Sequence, residues 1–507
     1  MTAVTEDTKG AATELPRLLP PPADKNKNAQ DWYAHAGRHG GLPYRDRQGA
    51  LIGDIEAAGL TGRGGAAFPV HRKLLAVLEA ADKRRRTPAV IANGAESEPA
   101  SDKDATLLWL APHLVLDGLQ LAAEAVGADT AILYTHVNRD HDVGARLREA
   151  LQARLAAGVD RVPVQLATAP ARFLSGQETA LVNHLSGGAA IPTFMPPRIT
   201  ERGLNGVPTL VQNAETLAHL ALIARKGPSW FRAVGTDAEP GSMLATVRRA
   251  DGRPRISELP LGLPLLDLVG ELEPDRAVLI GGYHGTWLTG AEARRLTLDN
   301  RSLAQVQAKV GAGIVITLPP DRCGLVETAN VVRYLALESA GQCGPCLNGL
   351  PRIAAALAEI AGGRVRPQLM ADVERWSGLV TGRGACHHPD GTTRFVRSAL
   401  RVFAAEVDRH RRGRCAATVT RPFPPDPEGR RPRGKGLDLI DMAERLLVNP
   451  IDCEGHGACA ELLPEAITMD EWGFPVVDPR PLPPSLERNA RAAVSACPTL
   501  ALRLTRS

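Results

Sequence analysis

A chain of 507 residues with 44% apolar residues is long enough for several separate cores, and its formal net charge of +4 is too small to mark a nucleic-acid binder. Only 4% of residues are aromatic, while 49 glycines and 40 prolines point to many short connections. No run approaches the roughly 18 apolar residues of a membrane span, and the first residues lack the apolar stretch of a secretory signal. The expected location is therefore cytoplasmic, peripheral to a membrane only through a partner.

In chain order, residues 1–30 read as a disordered leader. Helical and strand patterns then alternate over 31–235. "QGALIGDIEAAGL" is helical, "PAVIAN" (88–93) is a short apolar strand, and "DATLLWLAPHLVLDGLQLAAEAVGA" (104–128) has helical spacing and ends near glycine. "TAILYTH" and "VPVQLA" are strands on either side of the helical "HDVGARLREALQARLAAG". This order predicts an α/β domain, a parallel sheet with helices on its faces, whose ligands belong at the carboxyl ends of the strands. Residues 236–322 carry short β segments, among them "GSMLATVRR", "AVLIGG" and "IVITLP", around the helical "LLDLVGEL", and read as a small α+β domain. Residues 323–410 are helical throughout and read as a bundle. A basic, Pro-rich stretch without apolar periodicity marks a linker over 411–440, leaving 441–507 as a last small domain.

Two features carry chemistry. "GLTGRGGAAFPVHRKL" (59–74) sets Gly62, Gly64 and Gly65 ahead of a helical stretch. Glycines expose backbone N–H groups that can nest a phosphate, and Arg63 and Lys73 add positive charge. The spacing is neither GxGxxG nor the P-loop, and a plain glycine turn between helices reads equally well. The second feature is the cysteines. With no export signal the eight cysteines are expected to be reduced, and to be metal, cluster or redox ligands. Cys343, Cys346 and Cys386 form one group, and Cys453, Cys459 and Cys497 another; Cys323 reads as a buried thiol and Cys415 as a linker thiol.

From the glycine loop onward, the chain resembles the family of NADH-oxidising flavoprotein subunits of respiratory complex I and of NAD-dependent hydrogenases and formate dehydrogenases. "GLTGRGGAAFP", "ANGAESEPASDKD" (92–104), "FLSGQETALVNHLSG" (173–187), "GVPTLVQNAETLAHL" (206–220) and "ESAGQCGPCLNG" (338–349) follow in the family's order over about residues 31–410. The resemblance implies an FMN-binding α/β domain, a β-grasp-like domain and a helical iron–sulfur bundle. It implies hydride transfer from NAD(P)H to FMN and single electrons onward to the cluster. Carried over, Gly62, Arg63, Gly64, Gly65, Lys73, Asn93, Ser97, Gly176 and Asn213 would surround FMN, while Phe68, Glu98 and Glu178 would lie beside the nicotinamide nucleotide. Read alone, Glu98 and Glu178 are surface or helix-capping carboxylates. The chain departs from the pattern at Ala95, Phe173, Gln177, Met195 and Gln212; Ala95 loses an acceptor for the flavin, and Met195 loses a charge for the NADH phosphates, which weakens the expected NADH site.

The family's first cluster cysteine is replaced by Ala340. The remaining Cys343, Cys346 and Cys386 suit a [3Fe-4S] cluster, or a [4Fe-4S] cluster with an outside ligand such as His387 or His388. A Cys₃His zinc site and an empty thiol trio stay open. Residues 443–506 resemble a single-cluster ferredoxin in which His456 stands at the usual second cysteine. Cys453, Cys459 and Cys497 then favour [3Fe-4S], with His456 ligation the lesser alternative. The function expected is an electron-transfer oxidoreductase passing electrons through FMN and a cluster to the fused ferredoxin and an external acceptor. The alternatives are an electron relay with a degenerate NADH site, or a zinc-bound scaffold. A small [2Fe-2S] partner subunit and a redox acceptor, membrane-associated or not, are expected, with no nucleic acid.

Overall fold

The structure is a computed structural model and describes residues 15–20, 31–136, 143–250, 254–415, 444–449, 453–478, 482–499 and 501–506. The chain divides into two compact units, Met1–Arg430 and Arg431–Ser507. The division falls inside the stretch expected to be a linker, and residues 416–443 lie outside the described residues.

The first unit is built on a four-stranded parallel sheet of β1 (Ala89–Gly94), β2 (Thr130–Thr135), β3 (Val164–Thr168) and β4 (Thr209–Asn213), in the order β3-β2-β1-β4. The short apolar runs of β1 and β2 are buried along nearly their whole length, as strands covered on both faces require. Helix Pro112–Val126 starts with its proline in the first turn and stops at Gly127, whose φ of 68° admits the left-handed cap. It lies against helix Ala214–Lys226 so closely that a Cβ on Gly118 would sit 2.0 Å from Leu217 O. Only glycine permits that approach. The carboxylate of Asp117, buried beside it, accepts hydrogen bonds from Arg154 (2.7 Å) and Arg225 (2.6 Å) and pairs with His35 (2.7 Å).

Strands β1, β2 and β3 step outward in chain order, and β4 returns to the other side of β1. The winding reverses between β1 and β4, where a crevice opens beyond the carboxyl ends of the strands. Asn93 and Asn213 are register partners at that end.

A mixed five-stranded sheet follows, with β5 (Ser242–Arg248), β6 (Pro254–Pro260), β7 (Ala277–Ile280), β8 (Thr286–Thr289) and β9 (Ile314–Thr317) in the order β6-β5-β9-β7-β8. Only β5 and β9 run parallel. Helices Gly324–Leu337, Leu350–Ala361, Pro367–Val380, His388–Val402 and Ala404–Arg411 then pack around Val332, Leu335, Ile353, Leu357 and Phe395. The π-helical turn Pro345–Gly349 carries Cys346 into the second of these.

The leader is corrected in part. Within the stretch read as disordered, Leu18 and Leu19 are buried in the first core, and the Arg17 and Leu18 amides each donate to Glu258 at 2.7 Å. The rest of 1–30 lies outside the described residues. No single described helix is long and apolar enough to cross a membrane; the bent pair Lys103–Leu110 and Pro112–Val126 passes on composition but is mostly core.

The second unit pairs β10 (Glu444–Val448) with β13 (Leu502–Arg506) and β11 (Ile467–Met469) with β12 (Pro475–Val477), both antiparallel. Helices Ala458–Leu462 and Glu487–Ala496 close a small core of Leu446, Leu463, Ile467, Ala490, Ala493 and Leu502.

Candidate functional site

The crevice beyond β1 and β4 is a cavity of about 670 Å³. Of the residues expected from the sequence, Gly64, Gly65, Asn93, Ser97, Glu98, Gly176 and Asn213 line it. Their positions follow from the local chain. The glycine loop is closed into a turn by the Gly62 amide, which donates to Phe68 O at 2.9 Å, and Gly65 takes a φ of 105°. A Cβ on Gly176 would lie 2.7 Å from Ala95 O, so glycine alone lets this wall close. The wall is held by hydrogen bonds from Asn93 Nδ2 to Gly176 O (2.8 Å) and from Gly176 N to Ser97 Oγ (3.0 Å).

Gly62, Arg63, Phe68, Lys73 and Glu178 are not among the residues lining this cavity. Arg63 differs most from expectation. Its buried guanidinium donates to Thr61 O and Ser242 O, both at 3.0 Å, so it fastens the loop to β5 instead of offering charge to a ligand. Lys73 donates to Val211 O at 2.8 Å and pairs with Glu178, whose side chain is 44% exposed. Gln177, a departure from the family pattern, caps helix Glu178–Leu185 by accepting from Ala180 N at 2.9 Å.

Charge inside the crevice comes largely from residues that the motifs did not single out. Glu96 accepts from the amides of Asp104 (3.1 Å) and Ala105 (2.9 Å), in the first turn of helix Lys103–Leu110. Burial and the neighbouring Asp104 push its carboxyl up to about 7, against hydrogen bonds from Ser101 and Ala105. Glu98 is also raised to about 7 by burial, although the Tyr283 and Ala100 amides donate to it. Lys103 lies buried between Asp104 (3.2 Å) and Glu215 (2.6 Å). Burial alone would lower the Lys103 ammonium; the two carboxylates outweigh it and hold it above its ordinary value. Burial would likewise raise Glu215, but Lys103 and His219 bring it down to about 2. Lys309 and Arg394 add positive groups to the cavity wall. Lys103 and Asp104 stand in the quoted "ASDKD", and their helical position was the available signal; Lys309 and Arg394 have no local spacing that marks them.

The same cavity is also lined by Cys386, His387 and His388. Cys386 and Cys343 stand close enough to Cys346 that, after burial, their charges help push its thiol up to about 12. The buried imidazole of His388 is occupied at both nitrogens, with Nε2 2.8 Å from Leu335 O and Nδ1 3.1 Å from His284. His387 is the reverse case, its side chain 96% exposed. Among the described residues the one set of three or more candidate metal ligands with all ligand atoms within 4.8 Å of one another lies elsewhere, at Cys323, Glu406, His410 and Cys415. Tetrahedral zinc would hold two thiolate sulfurs about 3.8 Å apart. Cys343, Cys346 and Cys386 form no set that tight among the described residues.

In the second unit, Cys453, His456, Cys459, Cys497 and Pro498 line one small cavity. Gly455 and Gly457, with φ of 73° and 76°, bend the loop around it. Burial would raise Cys497, but backbone amides at Leu502 and the Thr499 hydroxyl hold it below its ordinary value. His456 is half-exposed and lies 3.2 Å from Glu454.

The profile of the Nuo51 FMN-binding domain matches residues 55–222. That of the NADH-ubiquinone oxidoreductase-F iron-sulfur binding region matches 327–410, and that of a 4Fe-4S single cluster domain matches 447–504. The F 2 subunit of the NADH-quinone oxidoreductase of Rhizobium meliloti (strain 1021) is 29% identical over 374 residues, covering 70% of this chain and 87% of the relative. The corresponding F subunit of the Streptomyces coelicolor enzyme is 29% identical over 382 residues, covering 72% and 83%. Among solved structures, a chain of an NAD+-reducing [NiFe]-hydrogenase in the H2-reduced state superposes with a TM-score of 0.67 at 28% identity, covering 78% of this chain and 67% of that one.

The residues present fit these cofactors. A cavity of about 670 Å³ falls within the usual size of cofactor sites, and Gly64, Gly65 and Gly176 let its walls pack closely, a Cβ on each falling 3.3, 3.6 and 2.7 Å from Asn213, Gly311 and Ala95. Each cysteine trio converges without a disulfide, as cluster thiolates must.

Proposed function

We propose that this chain, which belongs to the family of NADH-oxidising flavoprotein subunits, passes electrons from a nicotinamide nucleotide through FMN to iron–sulfur centres and on to an external acceptor. Bound in the crevice, FMN would accept a hydride and release electrons one at a time, an exchange that clusters alone cannot perform. The observation that carries the reading is a single cavity lined both by Gly64, Gly65, Asn93 and Asn213 and by Cys386.

Gly64 and Gly65 offer backbone donors to the flavin, and Asn93, Ser97, Gly176 and Asn213 form the wall against its ring. Arg63 and Gly62 act one step back by holding the loop's shape. Glu98 faces the nicotinamide position. Lys73, Phe68 and Glu178 act from outside the cavity lining, Lys73 leaving Glu178 for a phosphate. NADH or NADPH is the donor. In the bundle, Cys343, Cys346 and Cys386 hold an iron–sulfur cluster. With His388 committed to Leu335 and His284, three thiolates favour [3Fe-4S], or a [4Fe-4S] cluster with an exchangeable ligand at the exposed His387. The five-stranded sheet, with its two parallel neighbours β5 and β9 at the centre, supports the β-grasp-like reading. The second unit acts as a ferredoxin with [3Fe-4S] on Cys453, Cys459 and Cys497.

The relatives are named as subunits, so a small [2Fe-2S] partner and an acceptor at or near a membrane fit the same reading. Anaerobic purification with flavin, iron and sulfide quantification tests it against Gly64→Val, whose side chain would crowd Asn213 in the crevice wall. The variant should lose FMN while keeping iron and sulfide. Equal flavin in both proteins would place the flavin elsewhere, and absence of both cofactors from the parent would end the proposal.

A further inference from the structure

The bundle carries a second set of ligand-type side chains that the flavin and cluster sites do not use. Cys323 stands just before helix Gly324–Leu337, and Glu406 and His410 lie one turn apart on helix Ala404–Arg411. Cys415 follows a few residues beyond that helix. All four ligand atoms fall within 4.8 Å of one another; the first three residues are buried and Cys415 is exposed. Cys323 Sγ is 3.3 Å from His410 Nε2 and 3.5 Å from Glu406 Oε1, and His410 Nε2 is 3.4 Å from that same oxygen.

We propose that Cys323, Glu406, His410 and Cys415 form a structural site for a zinc-class divalent cation. Tetrahedral zinc with Zn–S near 2.3 Å and Zn–N and Zn–O near 2.1 Å has ligand–ligand edges of about 3.4–3.8 Å. Two of the three separations, 3.5 Å and 3.4 Å, lie in that range, and the third, Cys323 Sγ to His410 Nε2 at 3.3 Å, lies just below it. The His410–Glu406 separation is also longer than a good hydrogen bond, so it is better explained as two ligands facing one ion. Two thiolates, an imidazole and a carboxylate are a donor set that zinc accepts and that calcium and magnesium do not.

The outer partners are in place. His410 Nδ1 sits 3.2 Å from Ile360 O, which as acceptor fixes the proton on Nδ1 and turns the Nε2 lone pair toward Cys323. Arg409 Nε donates to Glu406 Oε2 at 2.6 Å, leaving Oε1 for the site. The ion would tie the start of helix Gly324–Leu337 to helix Ala404–Arg411 and to the chain leaving it, closing the end of the bundle. Two of the ligands come from residues that look unrelated in sequence, Cys323 and Cys415, which explains why spacing gave no metal motif.

The test uses the full chain, purified anaerobically from zinc-supplemented medium, with zinc, iron and flavin measured on the same sample. The expected result is about one zinc per chain, with two sulfur and two light-atom neighbours in zinc-edge X-ray absorption. Cys415→Ser, at an exposed position that spares the core, and His410→Gln should each lower zinc at least about tenfold while iron and flavin stay unchanged. Zinc that is absent from the parent, or that persists equally in both variants because it occupies other cysteines, overturns the proposal. So does a peptide map showing Cys323 joined to Cys415 in a disulfide.

Discussion

Glu98 accepts hydrogen bonds from the Tyr283 and Ala100 amides, and burial still lifts its carboxyl to about 7. The folded chain therefore holds this proton at pH values where an unfolded chain has released it. Stability from this group is fully present below the ordinary value of 4.5 and is lost as pH rises through 7. In flavin-free protein, Glu98→Gln should remove that loss. The variant should gain on the order of 2–3 kcal/mol relative to the parent between pH 5 and pH 8, read from denaturant midpoints at each pH. Parallel pH profiles for the two proteins would show that Glu98 does not carry a displaced proton. At this scale the sequence was legible for the place of Gly64, Gly65 and Gly176 in the cavity wall, because a missing side chain is visible in the motif itself. Side-chain destinations were not. Arg63 looked like a phosphate ligand because it sits among glycines, yet the carbonyls of Thr61 and Ser242 claim it, and Ser242 is distant in sequence.

The cluster element joins the π-helical turn Pro345–Gly349, which carries Cys346, to the start of helix His388–Val402, beside which Cys386 stands. Three thiolates leave one corner of a cubane without a protein sulfur. Ala340→Cys should supply it and convert an oxidised three-iron EPR signal in the parent to an oxidised state that is EPR-silent, with iron rising from about three to about four per bundle cluster. An unchanged signal in the variant would mean that residue 340 does not face the cluster. The parallel sheet was readable from its alternating patterns, and so was the rule that ligands gather at the carboxyl ends of its strands. The pairing of β1 with β4 was not, since pairing between strands so far apart in the chain leaves no local periodicity. The same limit hid the grouping of Cys323 with His410, which only the packing of two bundle helices brings about.

Over the whole molecule, the first unit joins a parallel sheet, a mixed sheet and a helical bundle around one crevice, and Glu215 shows how the parts are fastened. Its carboxylate pairs with Lys103 and accepts from the Leu244 amide of β5 at 2.7 Å, linking the two sheets through one buried charge. Such a buried pair is costly to break, about 3–5 kcal/mol when one partner is removed, and fixes the wall against which a cofactor would lie. The second unit repeats the convergence of three cysteines on a smaller scaffold. By the family resemblance, Ala95 lacks an acceptor for the flavin and Met195 a charge for the nucleotide phosphates, so the donor step is the one to measure. The most direct measurement is an anaerobic rapid-mixing titration of the flavin- and iron-replete chain with NADH and with NADPH. Flavin absorbance should fall with at least one of them, followed by loss of cluster absorbance. A flavin-replete chain that neither nucleotide reduces would contradict the proposed donor step and leave the relay.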